Sequence, residues 1–258
     1  WSADGKHIAY AAERRGRWLV VRDGHPEPSL EALRARSLRF SKDGAHLAYV
    51  GDEDRKVVAV VDGVKSTPYD SIGHLIFGAG GRWAFAARRG ATSVIVADGR
   101  ESTAYEDVAD LAFSPSGKRL AWTARKMGAW WVVEGLAESG PFERVSSLVW
   151  APRGDKLAFA VGQKTGELVV RDGRSGALYE GVLPGSLTFD SSGSHMVYSA
   201  RRGHAWRVIT DDVEGPPYED LEAPQFLGDT AATAHVARRG EATFLVLDGH
   251  QGPVEADA

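Results

Sequence analysis

The stretch LRFSKDGAHLAYV, residues 38–50, holds two apolar runs divided by a polar turn at Gly44. It returns as LAFSPSGKRLAWT (111–123), LVWAPRGDKLAFA (148–160) and LTFDSSGSHMVYS (187–199). Weaker copies are LIFGAGGRWAFAA (75–87) and QFLGDTAATAHVA (225–237), and the chain opens inside another, WSADGKHIAYA (1–11). One aromatic marks each copy: Trp1, Phe40, Phe77, Phe113, Trp150, Phe189 and Phe226. They are spaced by 39, 37, 36, 37, 39 and 37 residues, so seven copies fill 258 residues and leave no room for a second domain. A fixed period of this length identifies a repeat architecture.

Each copy reads as four short strands. The first apolar run ends at the marker aromatic. A glycine follows four residues later at Gly5, Gly44, Gly81, Gly117, Gly154 and Gly193, with Thr230 in the seventh copy. Glycine supplies the positive φ of a tight hairpin. The second strand is a run such as HLAYV or RLAWT. The third is β-rich, as in WLVVRDG, VVAVVDG and ELVVRDG, and Asp-Gly after an apolar run signals a turn. The fourth is poorer and carries PYD, AYE, PFE, LYE or PYE. Four strands repeated seven times predict an all-β, seven-bladed β-propeller spanning residues 1–258. A marker aromatic at Trp1, and Ala258 about five residues before the next one would fall, predict that the two terminal segments pair in one blade and close the ring. A start at Trp1 rather than Met is read as a trimmed segment.

The copies resemble the WD40-like repeats of TolB-type bacterial propellers, on FSKDGAHLAY (40–49) and FSPSGKRLAW (113–122). The resemblance covers the whole chain and implies the propeller fold. It implies little about function, because propellers include scaffolds, ligand binders and enzymes.

Composition excludes several functions. Hydrophobic residues make up 43%, which argues against disorder. A net charge of −4 gives no electrostatic reason for nucleic acid. No apolar run approaches the ~20 residues of a membrane helix. Without cysteine there are no disulfides, thiolate metal sites or cysteine nucleophile. The eight histidines do not cluster at ligand spacing; His7, His46 and His195 share one repeat position. No metal, cofactor or catalytic residue is expected, and the chain reads as a non-enzyme.

Two repeated sets of charges stand out. An acid follows the fourth-strand position in every copy: Glu31, Asp70, Glu106, Glu143, Glu180, Glu219 and Glu255. A base lies between the second and third strands: Arg15, Arg55, Arg89, Lys126, Lys164, Arg202 and Arg239. A catalytic acid is needed once or as one asymmetric pair, so sevenfold sets read as structural. The meander brings both to one end of the sheets, which predicts acid–base pairing or turn capping. The aromatics Tyr69, Tyr105, Phe142, Tyr179 and Tyr218 are expected to pack between blades. Trp18, Trp130, Trp131 and Trp206 fall on third strands.

Residues that differ between copies are the better functional candidates. Those ahead of each marker aromatic are expected at the channel mouth: Arg36, His74, Asp110, Ser146, Ser186 and Glu222. The function expected is a binding scaffold, with protein as partner and a monomeric state. The alternatives are the substrate-gating propeller of a prolyl-oligopeptidase-like serine hydrolase, and a small-molecule or glycan binder at the channel mouth. A bacterial source is expected from the absence of Asn and the excess of Arg over Lys, and the periplasm or envelope is favoured over the cytoplasm.

Overall fold

Two turns recur along the chain, one between the first and second strands of a copy and one between the third and fourth. In the first, Ser41 Oγ donates to Asp43 Oδ1 (2.5 Å) and accepts from the His46 amide (3.0 Å), while the Gly44 amide donates to the Ser41 carbonyl (3.0 Å). In the sixth copy the two side chains trade places: Asp190 accepts from Ser192 Oγ and from the His195 amide. The six glycines at this turn have φ between 71° and 79°. The second turn is Asp-Gly, with Asp62 at φ 46° and Gly63 at φ 78°. Positive φ at both central residues is the hairpin geometry that matches strand twist. The aspartate then reaches back, and its Oδ1 accepts the amide of Leu47 at 2.9 Å. Asp23, Asp98, Asp172 and Asp211 do the same to Ile8, Trp83, Leu157 and Met196.

The computed structural model describes residues 1–252. The chain is an all-β, seven-bladed propeller fold, with seven antiparallel sheets in chain order. It divides into two compact units: Trp1–Phe113 with Ala124–Gly128, and Ser114–Thr123 with Ala129–Ala258. The fourth copy contributes strands to both.

In the first unit, sheet one holds Ala9–Arg14, Arg17–Arg22 and His25–Pro26. Sheet two runs Ala32–Leu33 with Arg39–Phe40, then Leu47–Glu53, Lys56–Val61 and Val64–Lys65. Sheet three repeats this from Ser71–Ile72 and Ile76–Phe77 to Arg100–Glu101. Apolar cores lie between successive sheets. Val20, Leu47, Tyr49 and Val60 form one; Val57, Tyr69, Phe85 and Val96 form the next.

The second unit is built alike. Its cores are Val132 with Leu157 and Phe159, Val169 with Tyr179 and Tyr198, and Val208 with Tyr218 and Phe244. Both strand faces are apolar because each inner sheet is covered on both sides. The exceptions stand in the first and seventh copies. Tyr10 is 49% exposed, whereas its counterparts Tyr49 and Phe85 are at most 1% exposed. In the last sheet Leu245 and Leu247 are also exposed. The expected closing pair involves the segment after Gly252, which lies outside the described residues.

Candidate functional site

The first strand of a copy begins directly after the conserved-position acid, earlier than its apolar pattern suggests. The amides of Glu31, Asp70, Glu106, Glu143, Glu180 and Glu219 each donate to a second-strand carbonyl, of Asp52, Arg88, Arg125, Gly162, Arg201 and Arg238, at 2.8–3.1 Å. Glu255 lies outside the described residues. The carboxylates turn to the hairpin between strands two and three. Asp70 accepts the Gly90 amide (2.5 Å), Glu180 the Gly203 amide (2.8 Å) and Glu106 the Gly128 amide (3.2 Å). The Lys56 ammonium, then the Gly90 amide, hold the Asp70 carboxyl below its ordinary value. The guanidinium facing the acid is one residue ahead of the base singled out from the sequence. Arg125 faces Glu106 (3.7 Å), Arg201 faces Glu180 (3.5 Å) and Arg238 faces Glu219 (3.8 Å).

The base set has other partners. Arg89 Nη2 donates to Glu101 Oε1 (2.8 Å) and lies over the Tyr69 ring at 5.0 Å. The Tyr69 hydroxyl donates to the same Glu101 oxygen at 2.6 Å. Those two donors, Tyr69 first, depress the Glu101 carboxyl, while burial and then Glu101 raise the Tyr69 phenol. Tyr69 and Glu101 line a cleft of about 280 Å³ with Thr67 and Trp83. In the second unit Arg202 pairs with Glu214 (3.0 Å) and lies over Tyr179 at 4.9 Å. Arg239 lies over Tyr218 at 5.4 Å and donates to the Pro217 carbonyl. Arg15 and Arg55 are turn residues with φ of 54° and 59°, and Lys164 is exposed on its hairpin. Lys126 sits in the corresponding hairpin of the fourth copy.

The copy-specific candidates lie within the first strand rather than ahead of it. They occupy a bulge where that strand carries extra residues. From Ile72 to Ile76 is four steps, against three from Ala87 to Ala84. From Val182 to Thr188 is six steps, again against three, Ala200 to Val197. Arg36 (φ 60°) and Asp110 (φ 48°) take left-handed backbone at this place, and both are exposed. His74 and Glu222 are exposed there too, and Ser146 flanks the register shift of the fifth sheet. Bulges re-aim side chains out of a sheet.

Ser186 departs from the set. It is 1% exposed, donates to the Leu183 carbonyl (2.7 Å) and accepts the Ser199 amide (3.0 Å). Ser37 makes the same two bonds in the second sheet, to Arg34 and Val50. These hydroxyls pin the longer bulges. His74 has a partner across sheets: Arg39 Nη1 donates to its Nε2 at 2.7 Å and to the Leu75 carbonyl at 3.1 Å.

Two repeated contacts went unread in the sequence. His7, His46 and His195 are not bare edge residues. Each Nδ1 donates to an aspartate sixteen residues on, Asp23, Asp62 or Asp211. Arg82 makes the same pair with Asp98. That constant spacing is the signal that would have found them. The marker aromatics also receive cations from the preceding sheet: Arg22 over Phe40, Arg82 over Phe113, Arg119 over Trp150 and Arg171 over Phe189, at 5.1–6.0 Å. Among the described residues no group of three or more His, Asp or Glu is placed to hold a metal. No described helix is long and apolar enough to cross a membrane.

No protein-family model matches the sequence, and no curated protein matches it. Among solved structures the chain is similar to the β-propeller domain of the Trilobed protease from Pyrococcus furiosus, at 12% identity and a TM-score of 0.42, over 98% of this chain and 95% of that one. It is similar to TolB from Acinetobacter baumannii at 14% identity and a TM-score of 0.38, over 96% of this chain and 65% of that one. It is also similar to the Dos1 propeller, at 13% identity and a TM-score of 0.44, over 95% of this chain and 78% of that one. The chain spans about half of puromycin hydrolase (52%).

Proposed function

We propose that this chain is a non-enzymatic binding scaffold whose ligand is a protein. The observation that carries this reading is the bulge in the first strand of successive copies. Around it the backbone repeats, and on it the exposed side chain changes from copy to copy: Arg36, His74, Asp110, Glu222. A repeated frame that carries unlike exposed groups at the same position of each copy suits recognition of a surface rather than of a single reacting bond. The charges that do repeat are spent on the frame, in turn caps and inter-sheet stacking. Large protein-binding surfaces are a recurrent use of repeat folds.

The test uses immobilised wild-type chain and a variant with Arg36, His74, Asp110 and Glu222 changed to Ala, exposed to the same extract of the source cell. The reading expects a partner retained by wild type and lost by the variant. Purified chain is assayed in parallel against peptide and ester substrates. Turnover by the chain alone, or equal retention by both baits, would overturn the reading.

A further inference from the structure

The outer-strand position that faces the buried tyrosine follows a rule. Glu101 stands opposite Val96, Glu214 opposite Ile209 and Gln251 opposite Val246, so the three share one register. Arg89, Arg202 and Arg239 share another, opposite Thr92, Ala205 and Ala242. Tyr69, Tyr179 and Tyr218 share a third, each bridged to the preceding sheet. Where the aromatic carries a hydroxyl, an acid stands at the outer position: Tyr69 with Glu101, Tyr179 with Glu214. Glu138, opposite Val133, takes the same register within its own sheet. Where no hydroxyl is present, at Leu30 and Phe142, the outer residues are Lys65 and Ser175. The seventh copy breaks the rule, with Tyr218 and a neutral Gln251.

The consequence is visible in the second unit. Tyr218 is 2% exposed and its hydroxyl has no partner among the described residues. Beside it, with ring centroids 5.7 Å apart, both nitrogens of buried His235 also lack partners. Burial lowers the His235 pKa to about 4, so the ring is neutral and can donate one N–H. Arg239 keeps its place over the Tyr218 ring and, among the described residues, donates only to the Pro217 carbonyl. Buried polar atoms of native proteins are almost always satisfied. Here the donors that hold a carboxylate elsewhere are in place, and among the described residues the outer position carries Gln251 instead of an acid.

We propose that this junction binds a carboxylate supplied by a ligand, held by the Arg239 guanidinium and the Tyr218 hydroxyl in the place that Glu101 and Glu214 fill in their own sheets. Arg239 and Gln251 are exposed at the outer strand, so a ligand approaches from that side. The corresponding Tyr69–Glu101 edge lines a cleft. The inference involves only the sixth and seventh sheets and is independent of the bulge surface.

The experiment is a thermal-shift titration in carboxylate-free buffer with propionate, with the tripeptide Ala-Ala-Ala, and with the amides of both. Saturable stabilisation by at least one acid and none by the amides is expected. A shift with propionate identifies a free acid as sufficient; a shift with the tripeptide acid alone identifies a chain terminus. Arg239→Gln should weaken binding by about 10-fold or more, the scale of one charged hydrogen bond. Gln251→Glu should abolish binding while raising the unfolding midpoint, because the variant supplies its own carboxylate. The proposal is overturned if neither acid binds, if the amides bind equally, or if Gln251→Glu binds like wild type.

Discussion

Removing one hydroxyl should have opposite effects at two equivalent tyrosines. Tyr69 donates to Glu101 at 2.6 Å and accepts from Thr67 at 2.8 Å. A hydrogen bond to a charged group contributes about 1.5–3 kcal/mol, so Tyr69→Phe should destabilise by that amount. Tyr218 is equally buried, but its hydroxyl is unpartnered among the described residues. Burying an unsatisfied hydroxyl costs about 1–3 kcal/mol, so Tyr218→Phe should be neutral or stabilising. At about 2–4 °C per kcal/mol for a chain of this size, the two variants should differ by roughly 3–24 °C in midpoint. The assay is thermal unfolding followed by circular dichroism in carboxylate-free buffer. A Tyr218→Phe variant that loses as much as Tyr69→Phe would refute the reasoning, since it would mean that the hydroxyl already has a partner.

Other consequences follow from single residues. A Cβ on Gly51 would meet the Ala32 carbonyl oxygen at 2.3 Å, whereas one on Gly181 would meet nothing within 4 Å; Gly51→Ala should cost about 1–3 kcal/mol and Gly181→Ala nothing measurable in urea unfolding. Ser186→Ala leaves the buried Ser199 amide unpaired and should cost about 1–3 kcal/mol, with faster hydrogen exchange at that amide. Burial raises the Asp211 carboxyl, but bonds from His195, the Met196 amide and Arg171 outweigh this and hold it below 3.8. A depressed carboxyl stabilises fully above its unfolded value and loses that contribution as pH falls through its folded value. Asp211→Asn should therefore flatten the fall in stability below about pH 4, seen in midpoints measured across pH.

The fold was legible because the marker aromatics, the turn glycines and Asp-Gly recur at one period. What escaped the sequence depends on register. Glu101 lies two residues after Gly99 and Glu138 three after Gly135, and only strand pairing shows that they are equivalent. The copy-specific residues were placed ahead of the first strand because residues such as Ser71–Ile72 carry too little apolar pattern to announce a strand. Ser186 read as a channel-mouth binding candidate, although its hydroxyl replaces backbone bonds that the bulge removes. The guanidinium–aromatic stacking joins residues 18 or 31 positions apart, as in Arg22 with Phe40 and Arg82 with Phe113, and no local pattern links them.

The central claim is that the repeated charges build the frame while the copy-specific bulge residues serve binding. Thermal unfolding of two multiple variants tests it most directly. One carries Asp70→Asn, Glu106→Gln, Glu180→Gln and Glu219→Gln; the other carries Ala at Arg36, His74, Asp110 and Glu222. The account predicts a lowered midpoint for the first and one close to wild type for the second. A second variant that unfolds well below the first would contradict it.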